Sequence, residues 1–168
     1  MIANSLMKSA AKLESLGLAA NDITVSSCPS IVKCLASKPE LRSLDIKENE
    51  LGDRGALLLS TILQSKGKLE TLDLYQNEIG RAGALGIVKS VSGCKSLTRL
   101  DLNANYIPTW CIDEIIDVMK KAFPEKTVLS EFDENDEDME DEDNQEPQEL
   151  QAYTQSFVDE LASSFANL

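Results

Sequence analysis

Four segments of the 168-residue sequence align without a gap: LESLGLAANDIT from Leu13, LRSLDIKENELG from Leu41, LETLDLYQNEIG from Leu69 and LTRLDLNANYIP from Leu97. Each start lies 28 residues after the one before. A fixed period with the pattern LxxLxLxxNx(I/L) restricts the chain to a stack of like units, because no single unit of that length buries its own apolar face.

Each position of the unit has a physical reading. In a strand, alternate side chains point to one face, so Leu16/Leu18, Leu44/Ile46, Leu72/Leu74 and Leu100/Leu102 are expected to face the core. Asn21, Asn49, Asn77 and Asn105 follow at one register. A buried amide there is suited to hydrogen-bond the backbone of adjacent turns as a ladder. Ile23, Leu51, Ile79 and Ile107 close the turn, and Gly55-Ala56 and Gly83-Ala84 suit close packing where a helix starts. Ile31, Leu59, Ile87 and Ile115, with Leu35, Leu63, Val91 and Met119 four residues later, mark one helix face. Strand, turn and full helix make an α/β leucine-rich-repeat solenoid, of the long ribonuclease-inhibitor type.

The ends depart from this pattern. Residues 1–12 read as the last helix of an earlier unit, so the repeats begin in mid-unit and suggest part of a longer horseshoe. The helix 110–123 and a short strand at Val128-Leu129 read as a C-terminal cap. The expected division is repeats over 1–129, a disordered acidic segment over 130–149 and a short amphipathic helix over 150–168. Charge supports it. Residues 1–130 hold 15 acids and all 16 bases, whereas residues 131–168 hold 14 acids and no base. The run SEFDENDEDMEDEDNQEPQE lacks the apolar surface that ordering needs. Leu150, Tyr153, Phe157, Leu161, Phe165 and Leu168 then recur mostly at helical spacing, as in a helix that folds on a partner.

Composition excludes several function classes. An acidic extension repels phosphate backbones, which argues against nucleic acid as a partner. No apolar run reaches the ~20 residues of a membrane span, and no signal-peptide pattern opens the chain. There is no His. Cys28, Cys34, Cys94 and Cys111 are too scattered for a disulfide framework or a zinc site, which fits a reducing, intracellular setting with the thiols as small buried groups. DENDEDMEDEDN resembles a calcium loop but has Asp138 where an EF-hand needs Gly. No metal, cofactor or small-molecule substrate is expected, and no catalytic residue is assigned.

The outward strand positions are the candidate binding surface. Gly17, Asp45, Asp73 and Asp101 form one row, Ser15, Ser43, Thr71 and Arg99 a second, and Ala19, Lys47, Tyr75 and Asn103 a third. Three aspartates about 4.8 Å apart repel one another. They read either as solvated surface or as an acidic strip for a basic protein partner. Tyr75 and Arg99 are residue types enriched at binding hot spots. The partner-binding candidates are therefore Asp45, Lys47, Asp73, Tyr75, Arg99, Asp101 and Asn103. Arg54 and Arg81 read as ordinary helix starts rather than arginine fingers. Ser130, before Glu131, Phe132 and Asp133, resembles an acidophilic kinase target.

LGLAANDITV, IKENELGDRG and FDENDEDMEDED, with 28-residue units and an acidic run after the last helix, resemble the Ran GTPase-activating proteins, closest to their plant branch. The resemblance covers about residues 1–145. It implies stimulation of GTP hydrolysis by the small GTPase Ran in nucleocytoplasmic transport, with Ran's own glutamine positioning water and no arginine finger. It implies Ran, and Ran-binding proteins, as partners, and the cytoplasm, nuclear envelope or nucleus as location. The chain would then be a regulator rather than an autonomous enzyme. The family's main Ran-contacting residues lie in earlier repeats, so none is carried over. The alternative is a non-catalytic leucine-rich-repeat interaction scaffold with an acidic tail.

Overall fold

The computed structural model describes residues 12–135 and 147–166. The half-unit expected over 1–12 and the acidic run 136–146 therefore lie almost wholly outside the described residues. Four three-residue strands, β1 (Ser15–Gly17), β2 (Ser43–Asp45), β3 (Thr71–Asp73) and β4 (Arg99–Asp101), form one parallel sheet in chain order. Ser15 pairs with Ser43, Ser43 with Thr71 and Thr71 with Arg99, so the sheet register equals the sequence period. Helices α1 (Cys28–Ala36), α2 (Gly52–Leu63), α3 (Arg81–Val91) and α4 (Thr109–Ala122) return each chain to the next strand. A fifth helix, α5 (Pro147–Ala166), follows the acidic run.

The core lies between strands and helices. Leu44, Leu72 and Leu100 from the strands meet Leu59, Ile87 and Ile115 from the helices, and all are buried. Leu16, Leu18 and Ile31 of the first described unit are only partly buried, though packed on the same cluster. The small residues at the helix starts are required by clearance. A Cβ on Gly83 would sit 2.6 Å from Asp53 Oδ1 and 2.9 Å from Ala56 Cβ, and one on Gly55 would sit 2.9 Å from Cys28 Sγ.

The asparagines form the expected ladder. Asn105 Oδ1 accepts from the amides of Asn77 (2.9 Å) and Ile79 (3.0 Å), while its Nδ2 donates to the carbonyls of Leu74, Leu102 and Asn103. Asn49 does the same for Asn21 and Ile23. Asn77 departs from the pattern. Its Nδ2 donates to three carbonyls, but its buried Oδ1 has no hydrogen-bond partner. In that turn the amides of Asn49 and Gly52 bond to the backbone carbonyls of Gln76 and Asn77 instead, and Gly52 adopts φ +57°. A residue with a Cβ reaches that region only at a cost.

Two lysines are buried in the stack. Lys38 and Lys66 share one register with Cys94, and all three are at most 2% exposed. Lys66 Nζ donates to the carbonyls of Leu35 (2.6 Å), Ala36 (3.2 Å) and Lys38 (3.1 Å), the loose carbonyls at the end of α1. Cys94 Sγ makes the equivalent bond to Leu63 O, 3.1 Å, at the end of α2. Burial, with a smaller push from Lys38, lowers the Lys66 pKa from 10.5 to about 8. The unfolded chain then binds the extra proton between pH 8 and 10.5, so stability rises with pH across that window. The stability difference between wild type and Lys66→Met is expected to move in the wild type's favour there, by up to about 3 kcal/mol. Urea unfolding in a pH series checks this, and a difference flat in pH rejects it.

Two expectations about the tail are corrected. The sequence places the start of the disordered segment at residue 130, whereas residues 128–135 continue the stack. Leu129 bridges to Leu100, Leu100 N donates to Val128 O and Ser130 N to Leu100 O. Asn135 Oδ1 accepts from the amide of Asn105 at 2.8 Å and so supplies a fifth rung of the ladder. The spacing is 30 residues rather than 28, and this short insertion hides the rung from the repeat arithmetic. The second concerns what receives the terminal helix, which the sequence reads as folding on a partner. Instead α5 packs on the outer helices of its own chain, with Leu150 and Phe157 buried and Tyr153 and Leu161 partly so. The Arg54 guanidinium lies 5.4 Å from the Tyr153 ring centroid, and Lys33 pairs with Glu160. The side chains of Phe165 and Leu168 lie outside the described residues.

Candidate functional site

The sheet register brings the candidate residues together on one face. Asp45 pairs with Asp73 and Asp73 with Asp101 in adjacent strands, with Gly17 in the same row. The row exists because each aspartate ends its strand. Its Oδ1 accepts the amide two residues on, from Lys47, Tyr75 and Asn103 respectively, at 3.1 Å each time. This local turn is a common use of Asp, so the carboxylates have a structural duty as well as a surface position.

Their surroundings differ along the row. Asp101 is 7% exposed and accepts a charge-assisted bond from Arg99 at 2.8 Å. Burial raises the Asp73 pKa, and the neighbouring Asp101 and Asp45 charges raise it further; the Tyr75 amide and Arg99 act the other way. Thr71 Oγ1 donates to Ser43 Oγ at 2.8 Å, tying the second row across two strands. Beside the face, at the turns, an open cleft of about 440 Å³ carries Asp22, Glu48, Glu50, Glu78, Tyr106 and Glu134. The whole edge is acidic, and Lys47 and Arg99 are the bases among the candidates.

Tyr75 and Asn103 are already engaged. Tyr75 OH donates to Glu134 at 2.6 Å, and this bond is the first cause of the raised Tyr75 pKa. Asn103 Nδ2 donates to Asp133 at 2.8 Å and its Oδ1 accepts the Glu134 amide at 3.0 Å. The four ladder asparagines stand apart from this surface. Asn49, Asn77 and Asn105 are buried and Asn21 is exposed, and all spend their side chains on backbone.

Other groups considered in the sequence sit elsewhere. Arg81 pairs with Glu114 at 3.1 Å and lies 5.3 Å from the Trp110 ring centroid. Arg54 is taken up by Tyr153. All four cysteines are buried and none is in a disulfide; burial raises the pKa of Cys28 to about 11 and also raises those of Cys34 and Cys94. Trp110, 69% exposed at the start of α4, was not singled out by the repeat pattern. The signal that could have found it is the single tryptophan of the sequence, two residues after the turn proline Pro108. Among the described residues, no three His, Cys, Asp or Glu side chains converge to hold a metal, and no helix is long and apolar enough to cross a membrane.

A stack of parallel strand–helix units at a 28-residue period defines a class. The chain has the fold of a leucine-rich-repeat protein. Residues 38–60 match the family model described as "Leucine Rich repeat". A solved structure of the leiomodin-1 actin-binding site 2 is similar, with TM-score 0.64 and 13% identity, covering 98% of this chain and 90% of that one. At that identity the likeness concerns the fold. No curated protein matches the chain.

Proposed function

We propose that this chain is a docking solenoid of ribonuclease-inhibitor type whose concave face receives a basic surface of a protein partner, and that the partner is the GTPase Ran. The carrying observation is the Asp45–Asp73–Asp101 row. Three carboxylates stand in cross-strand register on the concave face, Asp45 and Asp73 half-buried and Asp101 buried against Arg99, with Asp73 pushed up in pKa by burial and by the other two. Like charges directly opposite destabilise a sheet, and a complementary partner offsets that cost. The likeness of the repeat words and of the acidic run to the Ran GTPase-activating proteins supports Ran as the partner. In this reading the chain regulates hydrolysis by holding Ran, and Ran supplies the catalytic groups; its place is the cytoplasm, the nuclear envelope or the nucleus.

The test titrates labelled Ran·GTP with the chain and follows single-turnover hydrolysis in the same mixtures. Binding that weakens steeply with salt and faster hydrolysis are the expected results. Absence of Ran binding at low ionic strength overturns the assignment. Actin belongs in the same titration, because one structurally similar protein is an actin-binding site. Binding of actin without Ran would favour a non-catalytic scaffold.

A further inference from the structure

The C-terminal end of the concave face is occupied by the chain itself. Four hydrogen bonds hold residues 133–135 there: Tyr75 OH to Glu134, Asn103 Nδ2 to Asp133, the Glu134 amide to Asn103 Oδ1 and the Asn105 amide to Asn135 Oδ1. Two of the residues engaged, Tyr75 and Asn103, are in the outward row that a partner would meet.

We propose that residues 131–135, anchored at Ser130, are an autoinhibitory strap, which fills part of the docking face in cis and must lift before a basic partner seats fully. The inference rests on the concave face being the docking surface. The base of the strap is fixed by the buried Val128 and by the pairing of Leu129 and Ser130 with Leu100. Its tip is different. Asp133 and Glu134 are exposed and bring two more carboxylates to a face that already carries Asp73 and Asp101. The hydrogen bonds to Tyr75 and Asn103 are what hold this tip against the face. A cationic partner is drawn to the same negative region and can take Glu134 from Tyr75 while it fills the space. The acidic tip thus both attracts such a partner and delays its seating.

The two effects have opposite signs, which makes them separable. In the full chain, Asp133→Ala with Glu134→Ala removes two negative charges. Charge alone then predicts weaker binding of an oligolysine peptide. The strap predicts tighter binding, roughly tenfold if the closed form dominates by that ratio. A charge-matched control, Glu48→Gln with Glu78→Gln, removes two exposed carboxylates from the cleft beside the face and should weaken binding. If the tip variant weakens binding as the control does, the strap is overturned and the segment only completes the ladder. Hydrogen exchange gives a readout independent of any partner. The amide of Asn105, which bonds to Asn135 Oδ1, should exchange faster in the tip variant, with β3 unchanged; unchanged protection also overturns the strap. Adding Asp45→Asn and Asp73→Asn to the tip variant separates the two readings. If oligolysine then binds as before, the docking face fails while the exchange result still reports on the strap.

Discussion

Asn105→Ala is expected to lower the unfolding free energy by roughly 3–5 kcal/mol, measured by urea unfolding at neutral pH. The side chain is fully buried and makes five hydrogen bonds to backbone, spanning units three and four. Truncation leaves the amides of Asn77 and Ile79 without this acceptor and removes a donor from the carbonyls of Leu74, Leu102 and Asn103, of which Asn103 O still accepts the Gln76 amide. Each unsatisfied buried group costs about 1–3 kcal/mol, less than additively because the turns relax. The position in the ladder sets a graded expectation. Asn77→Ala should cost less, since Asn77 Oδ1 already lacks a partner and only the three donated bonds are lost. Asn21→Ala should cost least, because Asn21 is exposed and its side chain donates one bond, to Ala19 O at 2.7 Å. Equal losses at Asn21 and Asn105 would show that the ladder contributes through the turn conformation rather than through its hydrogen bonds.

The ladder also shows how much of this molecule is legible in the sequence. The strands, the core leucines and the asparagine rungs follow from one period, because a parallel stack must keep one register to bury every unit alike. Within that frame three features escaped. Asn135 escaped because the chain after α4 takes two extra residues to reach the same place, and a strict period has no room for them. The buried Lys38 and Lys66 escaped because a lysine reads as surface, although the long side chain of Lys66 brings its ammonium to the open end of α1. The docking of α5 escaped in a different way. The spacing of Leu150, Tyr153 and Phe157 shows an apolar face but does not say which surface receives it. The concave rows were legible as geometry. That Tyr75 and Asn103 already hold Glu134 and Asp133 was not, because hydrogen bonds between residues 59 and 30 positions apart leave no mark in local sequence.

The aspartate row supports a second large expectation, in which stability and binding move in opposite directions. Asp45→Asn with Asp73→Asn keeps an oxygen in place to accept the Lys47 and Tyr75 amides, so the turns survive while two charges disappear. The variant should gain about 1 kcal/mol in stability at neutral pH from relief of cross-strand repulsion. The pH dependence follows from Asp73. Its folded pKa is raised, so the folded state holds a proton more tightly than the unfolded one, and stability falls as pH rises through the folded value. The advantage of Asp73→Asn should therefore be full at neutral pH and shrink as the pH drops through the carboxylate range. Binding should respond oppositely. Affinity for Ran, or for an oligolysine probe, should drop roughly tenfold to a hundredfold, with a shallower dependence on salt. A natural surface that gives up stability to keep charges together is what a functional site shows when its partner provides the compensating field. If the variant is more stable but binds as wild type does, the aspartates serve only to end the strands, and the docking surface must be sought on another face, with the Trp110–Arg81 pair as the next place to substitute.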